Sequence, residues 1–351
     1  MKFTGQFRQR WDGLRIAFGG SNVTNRVHDL AGRTDRVSLQ DAADGGYEHT
    51  RTVAEYYDLC TGFMVWGWGE SLHFAPLSPR ESLEESVIRH QRHMISRLEL
   101  RPGMKVVDIG CGIGGPMRRV AREAGVRVVG INASEVQCNS ARRLNAAAGL
   151  ADWTECLQCS FMDMSAIADR TFDRGYAIES TCHADDKAAA FAEIYRVLKP
   201  GALLWGQEMC MTDLYDPGSD RHRAIKRELR RGIALKDIAT FGEVNRALAT
   251  AGFEVVESGD LAIHEHGQDT PWYQPMETLR GLPGSAFRRV PMGRRAIQLG
   301  FRIAEFFRAF PRGSAEVVAF LDRTGKAYVA GGRAGVYTPL YCFLARRPPE
   351  G

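Results

Sequence analysis

The stretch Asp108-Ile109-Gly110-Cys111-Gly112-Ile113-Gly114-Gly115-Pro116 decides the fold of this 351-residue chain. It follows the apolar run Lys105–Ile109, which reads as a strand, and opens a helical pattern over residues 116–124. Glycines at such a strand-to-helix junction let the chain turn tightly and bring backbone N–H groups up to a ligand at the helix N-terminus. Gly110, Gly112 and Gly115 also satisfy the GxGxxG spacing of dinucleotide-binding turns, but two residues argue against pyrophosphate. The carboxylate of Asp108, just before the glycines, would repel it and would instead hold an ammonium group. Asn132 stands at the end of the next strand, where an NAD enzyme places an acid for the ribose. Both details favour S-adenosylmethionine.

Working outward, short apolar runs alternate with helical patterns, the signature of a parallel sheet. Residues 126–131 read as the second strand. Ser134 with Gln137 predicts a capping box opening a helix to residue 148. Strands are expected over 154–159, 172–178 and 202–208, with a helix over 186–198 ended by Lys199-Pro200-Gly201. A helix over 241–251, stopped by Gly252, leads to strands over 253–257 and 340–345. The fold class is α/β, a doubly wound, Rossmann-like sheet of seven strands. Residues 1–100 read as an N-terminal arm and helical cap, and 101–261 as the core, with a cap insertion at 211–237. Residues 262–336 form a helical insertion too long for a loop, and 337–351 the last strand and tail.

Apolar residues at 44% and charged residues at 25% exclude a disordered chain. No run is long enough for a membrane span, and Arg8, Arg10, Asp12 and Arg15 interrupt any signal peptide at the start. The eight scattered cysteines read as thiols of a reducing compartment. The pair Cys156 and Cys159 lacks a second ligand pair, so no metal is expected. A net charge of +4 is too small to argue for nucleic acid. That charge is concentrated: Arg280, Arg288, Arg289, Arg294, Arg295, Arg302, Arg308 and Arg312 face only Glu305, amid Phe287, Ile297, Leu299, Phe301, Ile303, Phe306, Phe307 and Phe310. A basic, apolar stretch suits an anionic lipid surface, and equally a packed helix with a solvated arginine face.

Two further constellations carry chemistry. The first is Phe63, Trp66-Gly67-Trp68-Gly69-Glu70-Ser71-Leu72-His73-Phe74, in which tryptophans accompany two ionisable groups as a pocket for a cationic intermediate requires. The second, Tyr176-Ala177-Ile178-Glu179-Ser180-Thr181-Cys182-His183, lies at the carboxyl end of the fourth strand, where open sheets place their active residues. Glu179 or His183 could act there as a base, or serve only as capping and hydrogen-bonding groups.

With these motifs on the page, the chain resembles the sterol C-24 methyltransferase family from about Tyr47 to Pro348. The likeness rests on Tyr56-Tyr57, Gly67-Trp68-Gly69 with His73-Phe74, Arg89-His90, the glycine motif, and Tyr176 to Glu179 with Thr181-Cys182-His183. It continues through Glu193-Ile194-Tyr195-Arg196-Val197-Leu198-Lys199-Pro200-Gly201, Met211-Thr212-Asp213, Pro271-Trp272-Tyr273, Gly331-Gly332 and Thr338-Pro339. Departures fall at Met64-Val65-Trp66, at Gln91, which replaces a glutamate, and at Ser160, where the family has an acid near the adenine.

The resemblance implies a class I methyltransferase sheet with a mostly helical substrate-binding cap. S-adenosylmethionine would be held by Asp108, Gly110, Gly112 and Gly114, with Asn132, Glu135 and Gln137 on the ribose and Ser160, Phe161 and Met162 by the adenine. Phe63, Trp66, Trp68, Glu70, Tyr176, Trp272 and Tyr273 would bind the substrate. Glu179 and His73, then His183 and Glu208, are the candidate proton acceptors. The substrate would be a sterol with a Δ24 side chain, met at a membrane or lipid-droplet surface by peripheral, reversible attachment. The location implied is cytoplasmic and peripherally membrane-associated, on endoplasmic reticulum or lipid droplets in a eukaryote, and a homo-oligomer is compatible with it. The alternatives are methylation of another lipid, such as a linear triterpene or quinol, and a non-catalytic lipid-binding protein.

Overall fold

The computed structural model describes residues 23–39, 49–79, 81–262, 270–277 and 290–350. The N-terminal arm before residue 23 lies outside the described residues, as do Arg280, Phe287, Arg288 and Arg289 of the basic stretch. Three helices come first: α1 (Val23–Leu39), α2 (His49–Trp68) and α3 (Leu83–Arg97). The sheet then alternates with helices through β1 (Lys105–Ile109), α4 (Gly115–Ala124), β2 (Arg127–Asn132), α5 (Glu135–Ala147), β3 (Thr154–Gln158) and β4 (Phe172–Ile178). It continues with α6 (Lys187–Val197), β5 (Leu198–Met211), α7 (Asp220–Gly232), α8 (Phe241–Thr250) and β6 (Glu254–Asp260). The chain closes with α9 (Gln274–Glu277), α10 (Pro291–Phe306), α11 (Ser314–Ala334) and β7 (Tyr337–Arg346).

The seven strands lie in the order β3-β2-β1-β4-β5-β7-β6. The first five pair in parallel, while β7 runs antiparallel to both β5 and β6. Strands covered on both faces read as continuous apolar runs, and β1 is buried at every residue after Lys105. The order in which strands are added reverses between β1 and β4, which pair in parallel through Val107↔Gly175 and Asp108↔Tyr176. Ligands of open sheets bind beyond the carboxyl ends of strands at such a switch point. Here those ends are the glycine turn and Glu179.

Two expectations need correction. β5 and β7 are longer than read; β5 absorbs Lys199-Pro200-Gly201 through a register shift near Phe172, not leaving it as a turn. The capping box at α5 is half formed. Ser134 accepts from the Gln137 amide N–H at 3.1 Å, but the Gln137 side chain donates to Thr61 and accepts from Asn132 instead of reaching back.

Helices α1, α2, α10 and α11 build a second layer around Tyr56, Leu59, Phe63, Phe301, Phe310 and Val318. A further cluster joins α7 and α11 to the sheet through Phe74, Trp272, Tyr328 and Tyr337. Among the described residues, no helix is long and apolar enough to cross a membrane.

Candidate active site

At the switch point the glycine loop takes the backbone shape its sequence implies. Gly110, Gly112 and Gly114 have φ of 78°, 53° and 76°, the left-handed region that residues with a side chain rarely adopt. A Cβ at Gly110 would fall on Ser180, whose hydroxyl donates to the Ile109 carbonyl, so this glycine also lets the two strand ends meet. Around Gly112 there is open space.

Asp108 is buried, and the Tyr176 hydroxyl donates to its Oδ2 at 2.8 Å. Burial raises its pKa to about 7, against the lowering effect of the Tyr176 hydrogen bond. An acid stranded in this way suits an arriving cation, and the methionine ammonium of S-adenosylmethionine would supply one. Tyr176 therefore stands behind Asp108 and does not touch the substrate cavity, contrary to the expectation for it.

The residues expected at the ribose differ in how they are tied. The Asn132 side-chain amide donates to Gly112 O and to Gln137 Oε1, and Gln137 is buried with its own amide on Thr61. Both help to fix the loop and dock α2. Glu135, exposed in the first turn of α5, has no such tie. Ser160, Phe161 and Met162 are half-buried just past β3, with Ser160 Oγ accepting from the Met162 amide at 3.1 Å.

Beside this loop opens a cavity with an empty volume of about 1160 Å³, its mouth included. Its walls come from α2 (Tyr56, Tyr57, Phe63, Met64, Trp66, Trp68), from Leu72, His73 and Phe74 after it, and from α10 and α11 (Ile297, Val318, Leu321, Tyr328). Glu179 and His183 reach it from the end of β4.

Glu179 has φ 51°, a strained conformation of the kind that collects at functional sites. Its Oε1 accepts from the Phe74 amide at 2.6 Å and from Gln207 at 2.7 Å. Burial pushes its pKa up to about 8 in spite of those hydrogen bonds.

His73 is less free than expected. Arg119 Nε donates to Gln91 Oε1 at 2.8 Å, which turns the Gln91 amide nitrogen toward His73 Nε2, 2.8 Å away. The other ring nitrogen, Nδ1, sits 2.7 Å from the Phe74 carbonyl and must carry the proton. Both nitrogens are thus engaged, and burial lowers the pKa to about 4. His73 is a neutral wall group and a poor candidate for the base. His183, lowered to about 3 chiefly by burial, shares a 3.0 Å hydrogen bond with the Tyr57 hydroxyl.

Four other expected contacts lie elsewhere. Glu208 is fully buried, hydrogen-bonded by Thr181 and paired with Lys187 Nζ at 3.0 Å, and does not line the cavity. Glu70 is bound by Arg118 at 2.7 Å, at the start of the glycine helix. Trp272 packs edge-on against Phe74, with Tyr273 beyond it, as a buttress. Residues not singled out from the sequence, Tyr57, Met209, Met276 and Tyr328, do line the cavity. The pair Tyr56-Tyr57 was visible as a motif; Tyr328 carried no signal beyond an apolar helix face.

A glycine turn with an acid before it, at the switch point of a sheet whose last strand runs antiparallel, defines a class I S-adenosylmethionine-dependent methyltransferase. Residues 47–279 match the family described as mycolic acid cyclopropane synthetase, and 285–349 the sterol methyltransferase C-terminal family. The chain is 41% identical over 343 residues to cycloartenol-C-24-methyltransferase 1 of Oryza sativa subsp. japonica, covering 93% of this chain and 98% of that one. It is 35% identical over 332 residues to the sterol 24-C-methyltransferase of Saccharomyces cerevisiae, with 93% and 85% covered. Among solved structures, cyclopropane synthase MmaA2 from Mycobacterium tuberculosis matches with a TM-score of 0.65 at 20% identity, over 86% of this chain and 100% of that one. The chain belongs to the sterol C-24 methyltransferase family.

Proposed function

We propose that the protein transfers a methyl group to carbon 24 of a Δ24 sterol side chain and that Glu179 takes the proton lost afterwards. The observation that carries this reading is the buried carboxylate of Glu179 in an aromatic-walled cavity, one residue before Ser180, which packs against Gly110 of the glycine loop. When bound, S-adenosylmethionine supplies an electrophilic methyl, which the alkene π electrons take as the carbon–sulfur bond breaks. The positive charge left at carbon 25 of the sterol faces the rings of Tyr57, Trp66, Trp68, Phe74 and Tyr328, each well-placed ring being worth roughly 0.5–2 kcal/mol. Those rings also keep out water that would quench the cation. A hydride shift from carbon 24 moves the charge, and loss of a proton from the new methyl group to Glu179 leaves a methylene. His73, His183 and Tyr57 stay neutral at the wall, so none repels the cation. Incubation with a Δ24 sterol, squalene or a quinol and S-adenosylmethionine, followed by mass spectrometry, tests the reading. A methylated sterol is expected, and methylation of squalene or the quinol instead would replace it.

The sterol would be collected from an anionic membrane surface by α10 and the turn after it. Leu299, Ile303, Phe306 and Phe307 are exposed there, Phe306 at 81%, beside exposed Arg295, Arg302, Arg308 and Arg312. Arg294 is removed from that surface: its side chain is 11% exposed and paired with Asp322.

A further inference from the structure

Among the described lining residues, α10 and α11 bring three polar groups to the cavity away from Glu179: Arg294, Asp322 and Thr324. The Thr324 hydroxyl is committed to the Gly232 carbonyl at 2.9 Å. Arg294 and Asp322 form an ion pair between α10 and α11, with side chains only 11% and 15% exposed. Arg294 also donates to the Met276 carbonyl at 2.9 Å, and Asp322 accepts from Lys326 at 2.6 Å. Desolvating such a pair is costly, and two helices are joined as well or better by apolar side chains. A charged pair in a wall otherwise made of residues such as Ile297, Val318 and Leu321 is accounted for by a polar group that has to be received there. Asp322 precedes Tyr328 by six residues on α11, a rise of about 9 Å. Tyr328 belongs to the Glu179 end: its ring is 5.0 Å from that of Phe74, whose amide holds Glu179.

We propose that Arg294 and Asp322 form the subsite for the ring hydroxyl of the sterol, and so set how far the side chain reaches toward Glu179. This rests on the cavity being the sterol site. A sterol bears its hydroxyl at the end of the ring system opposite the side chain, and that group both donates and accepts. The Asp322 carboxylate meets the first capacity and the Arg294 guanidinium the second.

The test compares two substrates that share the Δ24 side chain, a 3-hydroxysterol and its 3-deoxy analogue, by kcat/KM with the full chain and S-adenosylmethionine. A hydrogen bond to a charged group corresponds to a preference of roughly 10- to 150-fold for the hydroxysterol in the unsubstituted protein. In Asp322→Asn and Arg294→Met the preference should fall to within about threefold, while calorimetric affinity for S-adenosylmethionine holds. Should either variant fail to fold, the double variant Arg294→Met/Asp322→Leu, which leaves no unpaired charge between them, carries the same comparison. A preference that persists in the folded variants overturns the subsite and leaves the pair a staple between helices. Equal use of both substrates by the unsubstituted protein overturns it as well. Methylation of neither substrate would overturn the sterol reading itself, and the subsite with it.

Discussion

Gln91 fixes the tautomer of His73, which burial keeps neutral. Its amide nitrogen lies 2.8 Å from His73 Nε2 because Arg119 fixes its oxygen, and His73 Nδ1 then donates to the Phe74 carbonyl. A glutamate at this position would accept where Gln91 donates, and so call for a proton on both ring nitrogens. Gln91→Glu should therefore raise the His73 pKa from about 4, as read by NMR titration of the ring. An unmoved titration would show that Gln91 does not set this state.

Glu179→Gln should lower kcat by roughly 10²- to 10⁴-fold, with cofactor affinity within a few-fold. Only the ionised carboxylate can take the proton, so activity in the parent should rise with pH through about 8 and be lost below it. The pH–rate profile of the variant should lack that limb. Equal losses of turnover and cofactor affinity would instead assign Glu179 to binding.

Asp108 carries a pKa of about 7 in the folded protein, against about 4 in an unfolded chain. Folding thus favours its neutral form. The stability it contributes is fully present below about pH 4 and is lost as pH rises through 7. Binding of the ammonium group favours the ionised form, so affinity for S-adenosylmethionine should increase between pH 6 and 8. Asp108→Asn should abolish that trend and weaken binding roughly 10- to 150-fold by titration calorimetry.

Lys187→Met leaves Glu208 charged and buried without its cation, and should cost about 3–5 kcal/mol in denaturant unfolding. The double variant Lys187→Met/Glu208→Met should recover most of that loss and retain measurable turnover. Complete inactivity of the folded double variant would return Glu208 to the list of proton acceptors.

Phe306→Ser/Phe307→Ser should weaken binding to anionic vesicles at least tenfold, since each buried phenylalanine is worth about 1.5–3 kcal/mol. Arg295, Arg302, Arg308 and Arg312 changed together to Gln should remove the salt dependence of what binding remains. Sedimentation with vesicles at low and high salt checks both, and unchanged binding in the two variants would leave this face merely solvated.

The sheet was legible where apolar runs meet glycine or acid: β1 and β4 begin and end where the sequence places them. β5 was not, since Pro200 and Gly201 punctuate a stretch that nonetheless pairs. Of the candidate site, Phe63, Trp66, Trp68, His73, Glu179 and His183 line one cavity. Tyr176 and Glu208 do not, and the reason is physical. Strands buried on both faces lose the polar–apolar alternation that would tell one face from the other. The Arg294–Asp322 pair was out of reach for a different reason, as its partners stand on separate helices and only packing brings them together.

Gly115 differs from its neighbours in the loop. It opens α4 and is absent from the residues with positive φ, so an alanine would suit its backbone, yet a Cβ there would strike the carbonyl oxygen of Glu70. Its bareness is a fingerprint of the segment resting on it, and that same segment supplies Gly67 and Trp68 to the cavity wall. A side chain at Gly115 would therefore push Glu70 and Ser71 off the loop and, through the adjoining Gly67, Trp68 and Leu72, reshape the wall of the cavity.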